Sequence, residues 1–195
     1  MKKSDPTFLV GIAGSAGALK AFKSLLNTLP VDSGMAFIFV SNITPSADTH
    51  LVKLLSQATE MKVLLAANKM KIEKNRVYLI PADAEVSIEN LIFNLNSPRS
   101  SRNSQIDLLF ISLAENYNSR AIGIVLSGHG GDGTEGCRRI RSEGGKTFAQ
   151  DASAEVTSMP NRAVAAGCID FVLPVNKISA KLRKLAGSAE NQLQL

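Results

Sequence analysis

The sequence predicts a three-layer α/β/α domain: a doubly wound, mostly parallel sheet with a small antiparallel hairpin. Three observations predict it. The runs MAFIFVS at 35–41 and AIGIVLSG at 121–128 are apolar without polar alternation, as strands covered on both faces are. Such runs alternate along the chain with segments of helical periodicity. Small-residue turns follow directly on the strongest runs, where an open parallel sheet gathers its ligands.

The elements follow in order. Phe8–Gly14 reads as a buried strand running into a helix near Gly17–Asn27. Met35–Ser41 is a central strand, and a helix from about Asp48 to Thr59 sets Leu51, Leu54 and Leu55 on one face. Lys62–Ala66 is a third strand. Val77–Ile80, Glu85–Ile88 and Leu91–Leu95 are short strands, the last two a hairpin turning at Glu89-Asn90. SPRSSRNSQ, 97–105, reads as an exposed loop. A helix over Ile106–Tyr117 leads to the strand at Ala121–Gly128, then to a helix at Gly133–Ser142 and a strand at Lys146–Gln150. A short helix at Asn161–Ala166 has Pro160 suited to its first position. Asp170–Leu173 is an edge strand, and a last helix runs from about Asn176 to Leu185. Residues 1–7 and 187–195 are expected to be flexible ends of a single domain over 1–195.

The bulk numbers exclude several classes. A chain of 195 residues, 45% apolar and 20% charged, is sized for one globular core. Its net charge of +5 suits an acidic partner. The basic residues are scattered, aromatics are 5% and Trp is absent, which disfavours a nucleic-acid surface with stacking platforms. Cys137 and Cys168 form no CxxC pair, and neither His50 nor His129 completes a zinc spacing with them. They read as two reduced core thiols of a cytoplasmic protein, and no metal or cofactor is expected. No apolar stretch approaches the roughly 20 residues of a membrane span. MKKSDPTFLVG has no signal-peptide core, so no membrane insertion is expected.

Chemistry-bearing residues stand at three strand ends: Ser15 after the first, Ser41-Asn42 after the second, and His129 and Asp132 after AIGIVLSG. Gly14 and Gly17 permit a sharp turn at Ser15, and the following helix aims its first N–H groups there. Three readings stand open: a phosphate cradle, an exposed nucleophile, or a turn that is merely tight. Glycines at 11, 14 and 17 give GxxGxxG rather than a dinucleotide GxGxxG, and no carboxylate ends the second strand. No GK[ST] follows, which excludes a P-loop. In SGHGGDGTEG, 127–136, Asp132 is either the N-cap of the next helix or a functional carboxylate around which the glycines clear space. Asp107 is expected to cap or pair within its own helix. Arg138, Arg139 and Arg141 read as a solvated helix face, with contact to an acidic partner as the alternative.

From VGIAGSAGALKAF through LPVDSGMAFIFV, VYLIPAD, IDLLFISLAE and AIGIVLSGHGGDGTEG to AQDASAEVTSMPNRAVAAGCIDFVLP, the chain resembles the catalytic domain of the chemotaxis protein-glutamate methylesterases, CheB. The version carried in methyltransferase–methylesterase fusion proteins is the most similar. The resemblance implies hydrolysis of glutamate methyl esters on the cytoplasmic helices of methylated chemoreceptors by a Ser-His-Asp triad. The family's serine falls on Ser15 and its aspartate on Asp132. Its histidine, in a Q-H-[ML] motif, falls on Asn42, because the pair is Ser41-Asn42 here. The second glycine of the serine motif is Ala18. The usual receiver domain is absent, so phosphorylation control within this chain is not expected.

The resemblance also implies a pocket of Gly14, Gly17, Gly128, Gly130, Met159 and Pro160, with Asn161-Arg162 in its wall. Ala16 and His129 mark the oxyanion region, and His129 is in addition a candidate substitute base. His50 is expected on the surface. In a triad the imidazole takes the hydroxyl proton and returns it to the leaving group; the amide of Asn42 has no basicity for either step. An impaired esterase is expected. The alternative is a catalytically inactive module that binds receptor segments or a methyltransferase domain.

Overall fold

The computed structural model describes residues 5–41, 48–98 and 104–192. Strands β1 (Leu9–Gly14), β2 (Ala36–Ser41), β3 (Lys62–Leu65), β4 (Arg76–Leu79), β7 (Ala121–Val125), β8 (Lys146–Gln150) and β9 (Phe171–Leu173) form one sheet in the order β3-β4-β2-β1-β7-β8-β9. Every pairing in it is parallel. β5 (Glu85–Glu89) and β6 (Ile92–Asn96) form a separate antiparallel hairpin. The helices are α1 (Ala18–Thr28), α2 (Asp48–Ser56), α3 (Gln105–Tyr117), α4 (Thr134–Ser142), α5 (Ser158–Ala165) and α6 (Val175–Gln192).

The apolar runs became the centre of the sheet for the reason that made them legible. Every residue of β1, β2 and β7 is buried, because helices cover both faces. Val10, Ile12, Phe37, Phe39, Ile122 and Ile124 point to one face, where Phe22, Leu25 and Leu26 of α1, Leu51 and Leu55 of α2, and Ile178 and Leu182 of α6 meet them. Leu9, Ala13, Ala36, Ile38, Ala121 and Val125 point to the other, against α3, α4, α5 and the hairpin. Phe110 of α3 is fully buried there and occupies the space that side chains at Gly11 and Gly123 would need. Cys137 and Cys168 are free thiols in this second core.

β1 lies between β2 and β7, with Leu9 opposite both Ala36 and Ala121. The chain winds outward from β1 through β2 toward β3, then returns to build β7, β8 and β9 on the other side. The winding direction reverses between β1 and β7, so a crevice opens at their carboxyl ends.

Several expected boundaries shift. The hairpin turns at Asn90-Leu91 rather than Glu89-Asn90; both residues have positive φ, 51° and 61°, the mirror-type turn that suits the strand twist. α5 begins at Ser158, so Pro160 is its third residue rather than its first; its missing N–H belongs to the unbonded first turn in either position. α2 stops at Ser56. α6 continues to Gln192, past Leu185, so regular helix extends into the GSAENQLQL segment. Among the described residues no helix is long and apolar enough to cross a membrane.

Candidate active site

Ser15 sits at the carboxyl end of β1 and is held on both sides. Its N–H donates to the Ser127 carbonyl at 3.0 Å, and its own carbonyl accepts from Ala18 N–H at 3.1 Å. The hydroxyl Oγ accepts from the backbone N–H of His129 at 2.9 Å. Two glycines make this approach possible. Gly17, with φ 73°, carries the chain into α1; a Cβ there would meet Glu155 Cβ and Ser127 Oγ at 2.9 Å. A Cβ on Gly128 would stand 2.6 Å from Ser15 Oγ and 3.1 Å from Met159 Cε. The space beside the hydroxyl is therefore open only because residue 128 has no side chain.

Loops from three strands are locked together behind the hydroxyl. Ser127 Oγ donates to the Ala16 carbonyl at 3.0 Å and accepts from Val156 N–H at 2.9 Å. Gln150 Oε1 accepts from Ser127 N–H at 3.1 Å. Gly128 N–H donates to the Val156 carbonyl, and Met159 N–H to the Gly128 carbonyl, both at 2.9 Å. Ser127 and Gln150 escaped the sequence reading. Their one signal is a polar residue at the end of an otherwise apolar strand, which alone does not name a partner.

Asp132 is not the cap of the helix that follows it. Its Oδ2 accepts from Ile106 N–H at 3.1 Å and its Oδ1 from Asp107 N–H at 3.0 Å, so the carboxylate closes the N-terminus of α3. Ser104, the residue at the N-cap position of α3, makes no side-chain cap bond. The arrangement is reciprocal: Asp107 Oδ1 accepts from Gly136 N–H at 2.7 Å in the first turn of α4. The expected role of Asp107 within its own helix is corrected accordingly. Each carboxylate meets unpaired donors and the positive end of the other helix's dipole. Burial pushes the Asp107 carboxyl above the ordinary aspartate range, and the nearby Asp132 charge adds to this.

The remaining candidates divide. The register Gly14↔Ser41 brings the end of β2 alongside the Ser15 turn, and Ser41 is buried; Asn42 lies outside the described residues. His129 contributes its backbone N–H to the site, and the residue is exposed. His50 is exposed on α2. Gly14 leaves room for Ala18 and Phe22, so it seats α1 on the sheet. Gly130, φ 92°, faces open space, and Arg162 lies across the neighbouring Gly131. Pro160 is buried in α5. Arg138 pairs with Glu135, Arg139 with Glu115 and Glu143, and Arg141 with Asp170, so the cluster's charges are answered within the chain. Among the described residues no three His, Cys, Asp or Glu side chains converge as metal ligands would.

The family model described as CheB methylesterase matches residues 10–182. The chain belongs to the CheB methylesterase family. It is similar to the protein-glutamate methylesterase/protein-glutamine glutaminase 2 of Saccharophagus degradans, 34% identical over 186 residues that cover 92% of this chain and 53% of that protein. A putative protein-glutamate methylesterase/protein-glutamine glutaminase of Leptospira interrogans is 31% identical over 172 residues, 86% of this chain and 89% of that one. The chain thus spans about half the length of the Saccharophagus relative (53%) and most of the Leptospira relative (89%). The crystal structure of the Thermotoga maritima CheB methylesterase catalytic domain superimposes with a TM-score of 0.85 at 26% identity, covering 91% of this chain and 98% of that one. The three-layer sheet is the CheB catalytic-domain fold, and the crevice at β1 and β7 is where this CheB-family chain presents Ser15.

Proposed function

We propose that this domain is a protein-glutamate methylesterase-type hydrolase of bacterial chemotaxis, with Ser15 as nucleophile and turnover impaired at Asn42. The observation that carries the reading is the 2.9 Å bond from His129 N–H to Ser15 Oγ beside the cleared space at Gly128. A hydroxyl at a strand-to-helix turn with a backbone donor aimed at it suits acyl transfer. The substrate is a glutamate methyl ester on a cytoplasmic chemoreceptor helix.

In the forward step Oγ bonds to the ester carbonyl carbon. Negative charge moves onto the carbonyl oxygen, and the N–H groups of His129 and Ala16 are the proposed donors to it. The carbon–methoxy bond then breaks. The proton from Oγ must leave during attack and reach the departing methoxide, giving methanol and a Ser15 acyl ester. Water cleaves that ester to glutamate and restores the hydroxyl. Both transfers need a group that is basic near neutral pH, and the amide at Asn42 is not one. In serine hydrolases removal of the histidine costs on the order of 10^4 to 10^6 in rate. The glutaminase reaction in the relatives' names would suffer more, because an amide's leaving nitrogen requires that proton.

A second reading has one observation in its favour. Both oxygens of Asp132 hold the N-terminus of α3, so this carboxylate has a structural reason to persist without catalysis. The domain would then bind receptor segments or a methyltransferase domain without turning over. A fluorophosphonate probe separates the two. The hydrolase reading expects slow labelling of Ser15, lost in Ser15→Ala and accelerated at least about 100-fold in Asn42→His. Absence of labelling in the Asn42→His variant would leave only the binding module.

A further inference from the structure

Two cavities of about 850 and 550 Å³ run along the outer side of α1. They share Gly17, Lys20, Ser24 and Glu155 in their walls, so they form one trough. It starts at Gly17, two residues beyond Ser15, and reaches Asn27 and Thr28 at the far end of the helix. At 1.5 Å per residue that is about 16 Å, some three helical turns. Leu19 stands 39% exposed in the wall.

The electrostatics of the trough are lopsided. Lys20 and Lys23 line it and make no ion pair among the described residues. Val175 and Asn176, the first residues of α6, line the second cavity, and no acidic side chain in that turn offsets the helix's positive end. Among the described residues Glu155 is the one carboxylate in either wall.

We propose that this trough docks a carboxylate-bearing helical segment of the substrate protein, read by Lys20 and Lys23 and contacted by Leu19. The proposal deepens the hydrolase reading and rests on it for one point, that the docked chain is the one whose side chain enters at Ser15. The trough's form and charge favour this occupant over others. The trough is open and elongated, unlike a site for a small anion. Among the described residues its walls carry no aromatic ring and include a carboxylate, which suits no nucleic acid. A second copy of a chain with net charge +5 would bring like charge to the two lysines.

The test is fluorescence anisotropy with two labelled helical peptides of about 12 residues, matched to the trough's length. One carries glutamates at i, i+4 spacing and the other glutamines. The proteins are the full chain with Ser15→Ala, that chain with Lys20→Gln and Lys23→Gln, and a charge-matched control with Lys62→Gln and Lys146→Gln. The control lysines open β3 and β8 and line neither cavity. The trough variant is expected to bind the glutamate peptide about five- to tenfold more weakly, with the glutamine peptide unaffected and the control within about twofold. Equal losses in trough variant and control would reduce the effect to net charge and overturn the proposal. Equal binding of both peptides, or a trough variant that binds normally, would overturn it as well. So would self-association of the parent chain that the trough variant loses, which would make a second copy the occupant. Because binding is read with Ser15→Ala, failure of Ser15 labelling in the separate probe experiment would fail the hydrolase reading and leave this result standing.

Discussion

A hydroxyl is an ordinary group until its surroundings select one of its lone pairs. At Ser15 the selection is made by a backbone donor, His129 N–H, and by a missing methyl group at Gly128. This bond uses the backbone of His129, so it constrains the chain path at 129 and not the residue type. This gives a prediction at the scale of one atom. In Gly128→Ala the new Cβ would stand 2.6 Å from Oγ and 3.0 Å from Ser15 N, inside any normal contact. The hydroxyl must rotate off the His129 N–H. Fluorophosphonate labelling of Ser15 is expected to fall at least about 100-fold relative to the parent or to the Asn42→His background. Circular dichroism should keep its α/β signature, since Gly128 lies after β7 and not in it. Unchanged labelling would show that the gap at 128 is incidental. Ser15 itself was legible in the sequence, because a polar residue among small ones after a buried strand is a local pattern. The N–H that addresses it comes from 114 positions away and has no side-chain signature.

At the scale of elements, α3 and α4 cap each other. Asp132, just before α4, closes α3; Asp107, inside α3, closes α4. Replacing Asp132 by Ala removes the acceptor for two helix N–H groups and should lower stability by about 1–2 kcal/mol in urea denaturation. Asp132→Asn retains one acceptor and should lose less. Hydrogen exchange gives the sharper reading: Asp132→Ala should speed the amides of Ile106 and Asp107, and Asp107→Ala the amide of Gly136. Stability within about 0.5 kcal/mol of the parent would contradict this account and return Asp132 to chemistry alone. The existence of both helices was legible from periodicity. Their caps were not, because these bonds span 25, 26 and 29 positions and local sequence offers only the nearest helix as a partner. The same limit explains the boundary errors. Pro160 suggested a first position, yet Ser158 and Met159 precede it in the helix. The hairpin's turn fell one residue later, on Asn90 and Leu91 with positive φ, and a Leu there is not a turn signal.

The whole molecule is organised by one topological fact, the reversal of winding between β1 and β7. It places the Ser15 turn, the end of β2 and the glycine loop after β7 at one edge. The fold was legible because parallel strands buried on both faces leave unbroken apolar runs. The proposed impairment depends on a residue type rather than on the fold, and it rests on the sequence: the resemblance to the family puts Asn42 at the position of its histidine. The direct measurement is methanol release from a methylated receptor fragment by the parent chain, by Asn42→His, and by Asn42→His with Ser15→Ala. The account predicts a parent near the uncatalysed rate, turnover restored by at least about 100-fold in Asn42→His, and its loss when Ser15 is also removed. A parent that already turns over as fast as Asn42→His, and falls silent in Ser15→Ala, would show that another group serves Ser15 as base and would contradict the account.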